Sequence, residues 1–532
     1  MTATVSARDL HALLTGGGEI ALLDAREEGV FARRHILRAV PAPLSRLEFR
    51  IDALVPRRSC RLVLCDVDDG LAARAAAKLA GFGYSDVAVL EGGIEAWERA
   101  GYQLYSGVNV PSKAFGEFVE QAYGTPHIDA SDLAARLAAG DDIVVLDSRP
   151  FDEYRRMSIP GGIDCPGAEL VYRLHDLAPS PATTVVVNCA GRTRSIIGAQ
   201  SLINAGAPNP VMALANGTMG WHLAGLALEH GAGRRAPEVS EQGLAKARTA
   251  AARVAARFGV ATIGRSELAR FEAERDRRSL FLLDVRHPEE YAAGHLPGSR
   301  SAPGGQLVQA TDRYVGVLNA RLVLIDDDGV RAAMTASWLV QMGWQEVYVL
   351  EGGLEDAELE AGPEAPAALG LDQVPAERVT ARELKDLLDA GRAVVVDLAT
   401  SLQYREGHVP GAWFAVRSRF KTNLAKLPAA GMLVLTSPDG ALATLARSET
   451  EAVVAKPVRT LAGGTAAWTR AGFALEEGQT RMADDNDDAW YRPYDNDRAV
   501  EDAMREYLTW EVALAERIER DETVAFKYVP DG

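Results

Sequence analysis

A short segment with the sequence NCAGRTRS, residues 188–195, brings a thiol, two guanidinium groups and a hydroxyl group together. Cys189 follows the apolar run TTVVV, and Arg192 and Arg194 come shortly after it. A cysteine reacts as its thiolate, and neighbouring positive charge favours that form. The segment therefore predicts a reactive thiolate in an anion-binding loop. The alternative is an inert core cysteine that happens to lie beside surface charge.

The backbone around Cys189 is expected to strengthen this effect. The apolar run predicts a strand and a helix is predicted to start near Ser195, so the residues between them form a strand-to-helix turn. Backbone N–H groups of such a turn can converge on one point, and the helix N-terminus adds positive potential. Gly191 allows the turn to be tight. Both the thiolate and an incoming anion are therefore favoured in this loop.

Comparison of the chain with itself reveals four copies of one pattern. Each copy has an apolar run that ends in aspartate, at Asp24, Asp147, Asp284 and Asp397. The position 11 residues later holds His35, Ser158, His295 and His408. A second apolar run ends at Cys65, Cys189, Ile325 and Thr436, and 25 residues further on come Leu90, Leu214, Leu350 and Leu461. Equal spacing in four segments indicates tandem duplication.

The repeats predict four units, at residues 1–107, 108–235, 256–362 and 363–480. A helical linker is expected at 236–255, and an acidic and helical tail at 481–532, with Ala503, Tyr507, Trp510 and Leu514 on one docked helix face. Short apolar runs alternate with helical segments, which is typical of an α/β fold. Each unit should be a small, mostly parallel sheet with helices on both faces. Chemistry in such sheets lies beyond the carboxyl ends of the strands.

The four loops at that position differ in chemistry. Only the second unit combines a cysteine, Cys189, with cations. The first unit has Cys65, but the acidic segment CDVDDG should raise the thiol pKa and repel anions. The third and fourth units have Ile325 and Thr436 instead of a thiol. We therefore expect one active unit, the second, and three inactive ones.

These motifs together resemble those of a tandem rhodanese (sulfurtransferase) protein with four rhodanese-like domains. The resemblance covers about residues 1–480 and rests on DVRHPEEYAAGHLPGS, the loop CAGRTRS and the element LEGG followed by tryptophan. It implies that Cys189 accepts a sulfane sulfur as a persulfide and that an inactive domain walls the active pocket of its neighbour. It also implies that a loop cradles the anionic sulfur, formed by Ala190, Gly191, Arg192, Thr193 and Arg194. Ser195 would then open the helix behind this loop.

The resemblance implies a donor such as thiosulfate, because two cations in the loop favour an anion. Mercaptopyruvate ranks second. The acceptor would be cyanide, glutathione or a protein thiol, and no cofactor is expected beyond the covalent persulfide. Two residues depart from the family pattern. Arg192 stands where many members have glycine, which bears on the substrate that fits, and Ser158 replaces the common histidine, which is therefore not expected to be a required base here.

Two rival functions remain open. The chain could be a sulfur-relay or partner-binding protein in which Cys189 delivers sulfur without free turnover. It could also be a phosphatase or arsenate reductase, but those enzymes have one more residue between cysteine and arginine than the four between Cys189 and Arg194.

Other residues are expected to be structural. These are Cys60 and Cys165 in packing, Asp147 and Arg149 in a turn with a salt bridge, His35, His295 and His408, and the core residue Trp221. No CxxC pair or histidine cluster predicts a metal site.

Composition narrows the function classes for this chain of 532 residues. A net charge of −17 argues against nucleic acid as a partner. The sequence has no apolar run long enough to span a bilayer and no signal-peptide pattern, so we expect a cytoplasmic protein without a membrane partner. The oligomeric state is left open.

Overall fold

The chain folds into four parallel sheets of five strands each. The computed structural model describes residues 2–364, 367–375 and 377–530. In every sheet the strand order is the same: the first strand of the unit lies at one edge, followed by the fifth, fourth, second and third. All strand pairs are parallel. This confirms the predicted fold class of four tandem α/β units.

The first unit shows how the sequence pattern builds each sheet. Its strands are β1 (Ala3–Val5), β2 (Ala21–Asp24), β3 (Val40–Pro41), β4 (Leu62–Cys65) and β5 (Val87–Leu90). Its helices are α1 (Ala7–Thr15), α2 (Glu28–Phe31), α3 (Ile51–Leu54), α4 (Leu71–Gly81) and α5 (Gly93–Arg99). In β4, Leu62 and Leu64 pack on the side of α4, whereas Val63 and Cys65 pack on the side of α1 and α5. Both faces of the sheet are therefore covered.

The second unit begins with a long helix. Its helices are α6 (Val110–Tyr123), α7 (Ala130–Ala139), α8 (Phe151–Arg156), α9 (Glu169–Leu177), α10 (Thr193–Asn204) and α11 (Gly217–Leu223). Its strands are β6 (His127–Ile128), β7 (Ile143–Asp147), β8 (Ile163–Asp164), β9 (Thr184–Asn188) and β10 (Val211–Leu214). The segment that follows forms α12 (Glu241–Phe258), which runs three residues past the predicted linker.

The third and fourth units repeat the arrangement. The third has β11 (Ala261–Ile263), β12 (Leu280–Asp284), β13 (Arg300–Ser301), β14 (Arg321–Ile325), β15 (Val347–Leu350), α13 (Arg265–Ala273), α14 (Pro288–Ala293), α15 (Gly304–Gln309) and α16 (Arg331–Gln341). The fourth has β16 (Arg378–Val379), β17 (Ala393–Asp397), β18 (Trp413–Phe414), β19 (Met432–Thr436), β20 (Val458–Leu461), α17 (Ala381–Asp389), α18 (Ser401–Glu406), α19 (Phe420–Asn423), α20 (Ala441–Glu451) and α21 (Gly464–Arg470).

The units share their cores. One apolar cluster joins the first and third units and includes Phe115 of α6 and Ile196 of α10. A second cluster places α12 between the second and third units, where Ala250 and Val254 are buried. The α12 segment is thus part of the packed body and does more than connect two units.

The C-terminal tail contains α22 (Val500–Ile518), which packs along α6. This confirms the expected docked helix. Its buried face is centred on Met504, Leu508, Leu514 and Ile518. Tyr507 and Trp510, two of the four residues expected on that face, are half-buried at its border. The rotation turns Tyr507 toward the cysteine loop.

Candidate active site

The cysteine loop lies at the end of the most protected strand of the second unit. All five residues of β9 are buried, and the strand lies between β7 and β10. Asn188, its last residue, donates from Nδ2 to Asp147 Oδ2 over 2.9 Å. Cys189 follows directly, and α10 begins at Thr193, two residues before the predicted start. The loop is therefore placed at the carboxyl edge of the sheet, as in other open α/β folds.

The first turn of α11 fixes the other side of the loop. The carbonyl of Cys189 accepts a hydrogen bond of 2.8 Å from the Thr218 N–H, and the Ala190 carbonyl accepts one of 3.0 Å from Met219. Gly217 has a φ of 56°, and a Cβ there would lie 2.2 Å from the Cys189 oxygen. Glycine in the repeated LxxG element thus lets this helix close against the loop.

Cys189 is almost fully buried, with 2% of its surface exposed, yet it lines an open cleft. Its Sγ lies 3.5 Å from the hydroxyl oxygen of Ser195, which donates to the Arg192 carbonyl over 2.8 Å. The cleft encloses about 670 Å³ of non-protein space, part of it open to solvent. The thiol is therefore shielded from bulk water but reachable by a small molecule.

The backbone of the loop is rich in unused donors. Within the described residues, the structure gives no hydrogen-bond acceptor to the N–H groups of residues 190–195. These donors occupy the turn and the first residues of α10, where the helix dipole is positive. Such a set of donors binds anions without any side-chain charge.

In the first and third units, an aspartate of the corresponding loop accepts hydrogen bonds from backbone N–H groups of its own loop and the following helix. Asp66 accepts from the N–H groups of Asp68 at 2.8 Å and Ala72 at 2.9 Å. Asp326 accepts from Gly329 at 3.2 Å and Ala332 at 2.9 Å. Both aspartates occupy the position of Ala190, the residue after the strand-end position.

The fourth unit uses a hydroxyl group in the same way. Ser437, which also corresponds to Ala190, accepts from the Ala443 N–H at 3.3 Å, and Asp439 accepts from Ala441 at 2.9 Å. The methyl side chain of Ala190 can accept no hydrogen bond. The second unit therefore has a loop in which no side chain of its own takes the backbone donors.

Cys65 is a poor nucleophile in this fold. It is completely buried. Burial, followed by the negative charges of Asp24 and Asp66, raises the pKa of its thiol well above the usual range. The thiolate form of Cys65 is therefore disfavoured, and the inactivity of the first unit stays a prediction.

The two loop arginines are placed beside the cysteine, but each has carboxylate partners. Arg192 donates from Nε and Nη2 to the two oxygens of Glu117, at 2.7 and 2.8 Å, and is also paired with Glu120. Arg194 is paired with Glu153 over 2.8 Å. Burial raises the pKa of Glu153, but the charge of Arg194 outweighs it and lowers that pKa to about 2. The charge of both arginines is thus largely compensated inside the protein.

Several cleft residues escape prediction because they come from outside the second sheet. The third unit contributes Gln306, Gln309 and Arg313, so a neighbouring unit walls the pocket. Helix α6 contributes Lys113, and the tail contributes Trp490, Arg492, Tyr494 and Tyr507. The repeat pattern gives no signal for Lys113 and the tail residues, since they lie in segments that the four units do not share. Gln306 and Gln309 lie in α15, which belongs to the repeated arrangement, but the pattern does not show that this helix faces the second unit.

The tail also touches the loop directly through Glu511. This fully buried carboxylate accepts from Thr193 Oγ1 at 2.7 Å and forms an ion pair with Lys113 at 3.3 Å. A Cβ on Gly191 would come within 3.1 Å of Glu511 and 3.4 Å of Tyr507. Gly191 does not have a positive φ, and the nearest atom to such a Cβ would be Met219 Cε at 3.0 Å, so a larger residue would crowd side chains of both α11 and α22.

The residues predicted to be structural have structural contacts. Arg149 binds both oxygens of Asp147, at 2.8 and 2.7 Å, which confirms the predicted salt bridge. The rings of His35, His295 and His408 stack on aromatic neighbours and contact backbone carbonyls through Nδ1. Cys60, Cys165 and Trp221 are buried.

Ser158 holds the position of the missing histidine. It is fully buried, and its hydroxyl has no hydrogen-bond partner among the described residues.

No cluster of three or more potential metal ligands occurs in the described part of the chain. The helices that the structure describes include none that is both long and apolar enough to cross a membrane.

Both the sequence and the architecture of the chain match those of known proteins. The family model of the rhodanese-like domain matches residues 6–100, 129–224, 267–359 and 380–471. A crystal structure of thiosulfate sulfurtransferase from Pseudomonas aeruginosa is 49% identical, with a TM-score of 0.95, and the match covers 99% of this chain and 100% of that one.

Two curated relatives match single segments. Thiosulfate sulfurtransferase GlpE of Pseudomonas paraeruginosa is 35% identical over 77 residues, which are 14% of this chain and 66% of that protein. The HTH-type transcriptional regulator Rv0324 of Mycobacterium tuberculosis is 34% identical over 111 residues, and the chain spans 48% of its length. The domain thus also occurs in proteins of other kinds.

Proposed function

The chain belongs to the rhodanese family and is a rhodanese-type sulfurtransferase, and we propose that its second unit moves sulfur through a persulfide on Cys189. The donor is thiosulfate or a similar anion, and the acceptor is cyanide, glutathione or a protein thiol. The full-length likeness to a structure titled thiosulfate sulfurtransferase supports this donor.

One observation carries the proposal. Among the residues that the structure describes, the loop after Cys189 leaves its backbone donors without acceptors, while carboxylates accept from the corresponding loops at Asp66 and Asp326. A persulfide is an anion that forms at the position where those donors meet. We propose that residues Ala190 to Arg194 cradle it and that Ser195, at 3.5 Å from Sγ, donates to it by turning its hydroxyl group from the Arg192 carbonyl.

In the first half-reaction the Cys189 thiolate attacks the outer sulfur of thiosulfate. A sulfur–sulfur bond forms at Cys189, the sulfur–sulfur bond of thiosulfate breaks, and its electron pair leaves with sulfite. The total charge is unchanged, because a thiolate and a dianion become a persulfide anion and a dianion. The loop donors stabilise the persulfide, and Arg194 adds positive potential near Cys189.

In the second half-reaction a thiophile attacks the outer sulfur of the persulfide. With cyanide the products are thiocyanate and the Cys189 thiolate, which is ready for another cycle. Two half-reactions that share one covalent intermediate give ping-pong kinetics. The chemistry needs no metal or organic cofactor.

In this proposal the other three units, at 1–107, 256–362 and 363–480, provide scaffold and cleft walls. We place the protein in the cytoplasm, with small sulfur anions and thiols as its partners. A relay to a protein thiol would use the same persulfide but would show little turnover with free acceptors.

Turnover of thiosulfate and cyanide by the full chain tests the proposal. The Cys189→Ser variant should lose all activity, because the hydroxyl group cannot carry the sulfur. The matched variant Cys65→Ser should keep it, because Cys65 lies buried in a loop filled by Asp66. Full activity in Cys189→Ser would refute the proposal. A persulfide that forms on wild type without turnover would favour the relay.

A further inference from the structure

The cleft beside Cys189 is lined by five cationic side chains: Lys113, Arg192, Arg194, Arg313 and Arg492. Four of them are paired with carboxylates within 4.0 Å. Lys113 is paired with Glu511, and Arg313 with Glu28. Arg192 and Arg194 have the partners described above. The positive charge of these four side chains is therefore largely compensated by carboxylates of the protein.

Arg492 differs from the other four cations. Across the residues that the structure describes, its guanidinium group has no carboxylate within ion-pair distance and no hydrogen-bond acceptor, and it lies over the Tyr494 ring, whose centroid is 6.0 Å away. It lines the cleft and is half-buried. Its charge reaches Glu153, where it adds to the larger effect of Arg194 in keeping that pKa low. Glu153 compensates one positive charge, so the group formed by Glu153, Arg194 and Arg492 carries one net positive charge.

The tail holds Arg492 in place from both sides. The hydroxyl of Tyr491 donates to Ser401 Oγ over 3.1 Å, which ties the segment to the fourth unit. Asp495 forms an ion pair of 2.7 Å with Arg156 of the second unit. The backbone on either side of Arg492 is thus fixed before any ligand arrives, which lowers the entropy cost of binding.

We infer that Arg492 binds the oxyanion end of the sulfur donor and so determines specificity for a doubly charged anion; this inference rests on the proposed function. The loop at 190–195 has donors for the transferred sulfur, but the three oxygens of a sulfonate group extend beyond it into the cleft. A guanidinium group offers a planar fork of N–H donors that suits two such oxygens. The same contact stabilises the negative charge that sulfite gains as it leaves.

The inference assigns donor recognition to a residue outside the catalytic unit. Lys113 is a weaker candidate, because burial lowers its pKa but the charge of Glu511 outweighs this and raises it, which shows that its charge is already engaged. Arg492 comes from the tail after the four repeats, so a rhodanese-like domain alone would lack it.

The test measures persulfide formation in a single turnover of the full chain, by intact mass, at thiosulfate concentrations below saturation. Arg492→Gln should lower the rate of sulfur loading about 10- to 100-fold, the loss expected for a hydrogen bond to a charged group. Arg492→Lys keeps the positive charge but loses the planar pair of N–H donors, so its rate of sulfur loading should lie between those of wild type and Arg492→Gln. Arg498→Ala, which removes an exposed charge from the same tail, is the control and should load like wild type.

A second measurement separates recognition from a structural role. Each variant is first loaded fully at high thiosulfate, and sulfur removal by dithiothreitol, a neutral thiol, is then followed. This rate should be unchanged in Arg492→Gln. An equal loss in both half-reactions, or loading at the wild-type rate, would overturn the inference while the proposed function stands. If wild type itself gains no sulfur, the proposed function fails.

Discussion

At the scale of single residues, the side chain that follows the cysteine position decides whether the loop can take an anion from solution. Asp66 and Asp326 supply carboxylate oxygens to the backbone donors of their own loops. Ala190 supplies none. An internal carboxylate is tethered beside the donors and competes with any dissolved anion at a very high effective concentration. The duplicated units thus share a fold, and this side chain changes which loop donors remain available, in addition to the presence or absence of the cysteine and the loop cations.

The Ala190→Asp variant tests this reading. Its carboxylate should accept the loop N–H groups and repel thiosulfate, so that sulfur loading falls by about 100-fold or more. The fold should be retained, because two sister loops contain aspartate at this position. Ala190→Ser, which copies Ser437, should lose less. Measurement of the loading rate by intact mass decides the point, and wild-type loading by Ala190→Asp would contradict the reading.

The sequence was sufficient to single out Cys189 but not the electrostatics around it. Four aligned loops show which one has both a thiol and cations, since that comparison needs only residue types and spacing. The carboxylates that neutralise the cations lie far away in sequence: Glu117 is 75 residues from Arg192, and Glu153 is 41 residues from Arg194. Only the folded chain shows that these charges are compensated.

At the scale of elements, the ends of neighbouring strands bring like charges together. Asp164 ends β8 beside Asp147, which ends β7. Asp164 is 4% exposed, and its Oδ1 has no hydrogen-bond partner in the described chain. Burial, followed by the charge of Asp147, raises the pKa of Asp164 to about 7. Its ionised form is therefore unfavourable in the folded protein.

This predicts a pH-dependent stability. The pKa of Asp164 is higher in the folded state, so the folded state binds the proton more tightly, and stability falls as pH rises from about 4 to about 7. Asp164→Asn removes the ionisation. Its unfolding midpoint should exceed that of wild type at pH 8, and the difference should shrink as pH is lowered through this window.

Thermal unfolding of both proteins across this pH range provides the measurement. Asp386→Asn, which removes an exposed carboxylate, is the matched control and should show no such trend. A difference between Asp164→Asn and wild type that is independent of pH would contradict the prediction.

The strands were predictable from the sequence because runs such as TTVVV are continuously apolar, which is typical of strands that are buried on both faces. The roles of helices α6 and α22 are harder to predict from the sequence, because neither helix belongs to the repeated pattern. Their contacts with the cysteine loop depend on side chains such as Lys113 and Glu511, whose pairing over 3.3 Å joins distant parts of the chain. Periodicity predicts that a helix docks, but not which residues it presents to the site.

At the scale of the whole molecule, the active cleft depends on how the units pack. Arg331 of the third unit is fully buried and is paired with Glu169 of the second unit over 2.8 Å. It is also paired with Glu290 at 2.7 Å and Asp327 at 3.0 Å, and with Asp328. One guanidinium group thus holds four carboxylates together at the interface between these units. The same interface places Gln306 and Gln309 in the cleft.

The Arg331→Ala variant should therefore be strongly destabilised. Its loss leaves buried carboxylates without a partner, which costs about 3–5 kcal/mol. Denaturant unfolding of the full chain should show a clear drop in the midpoint. Arg277→Ala, which removes an exposed charge from the same unit, should unfold like wild type. An unchanged midpoint for Arg331→Ala would show that the buried cluster contributes little.

The number of units follows from the repeats, whereas their mutual packing does not. Contacts such as the 2.8 Å hydrogen bond from the Leu318 N–H to the Ile20 carbonyl join the first and third units. Arg417 joins the fourth unit to Glu48 of the first over 2.8 Å. These contacts arise from residues that vary between the copies, so the repeat pattern carries no record of them.

The most direct test of the central claim is the mass of the intact protein after incubation with thiosulfate and removal of the excess donor. Wild type and Cys65→Ser should each gain one sulfur atom, located on the peptide that contains Cys189. Cys189→Ser should gain none. A wild-type protein that gains no sulfur, or a sulfur atom located on Cys65, would contradict the account.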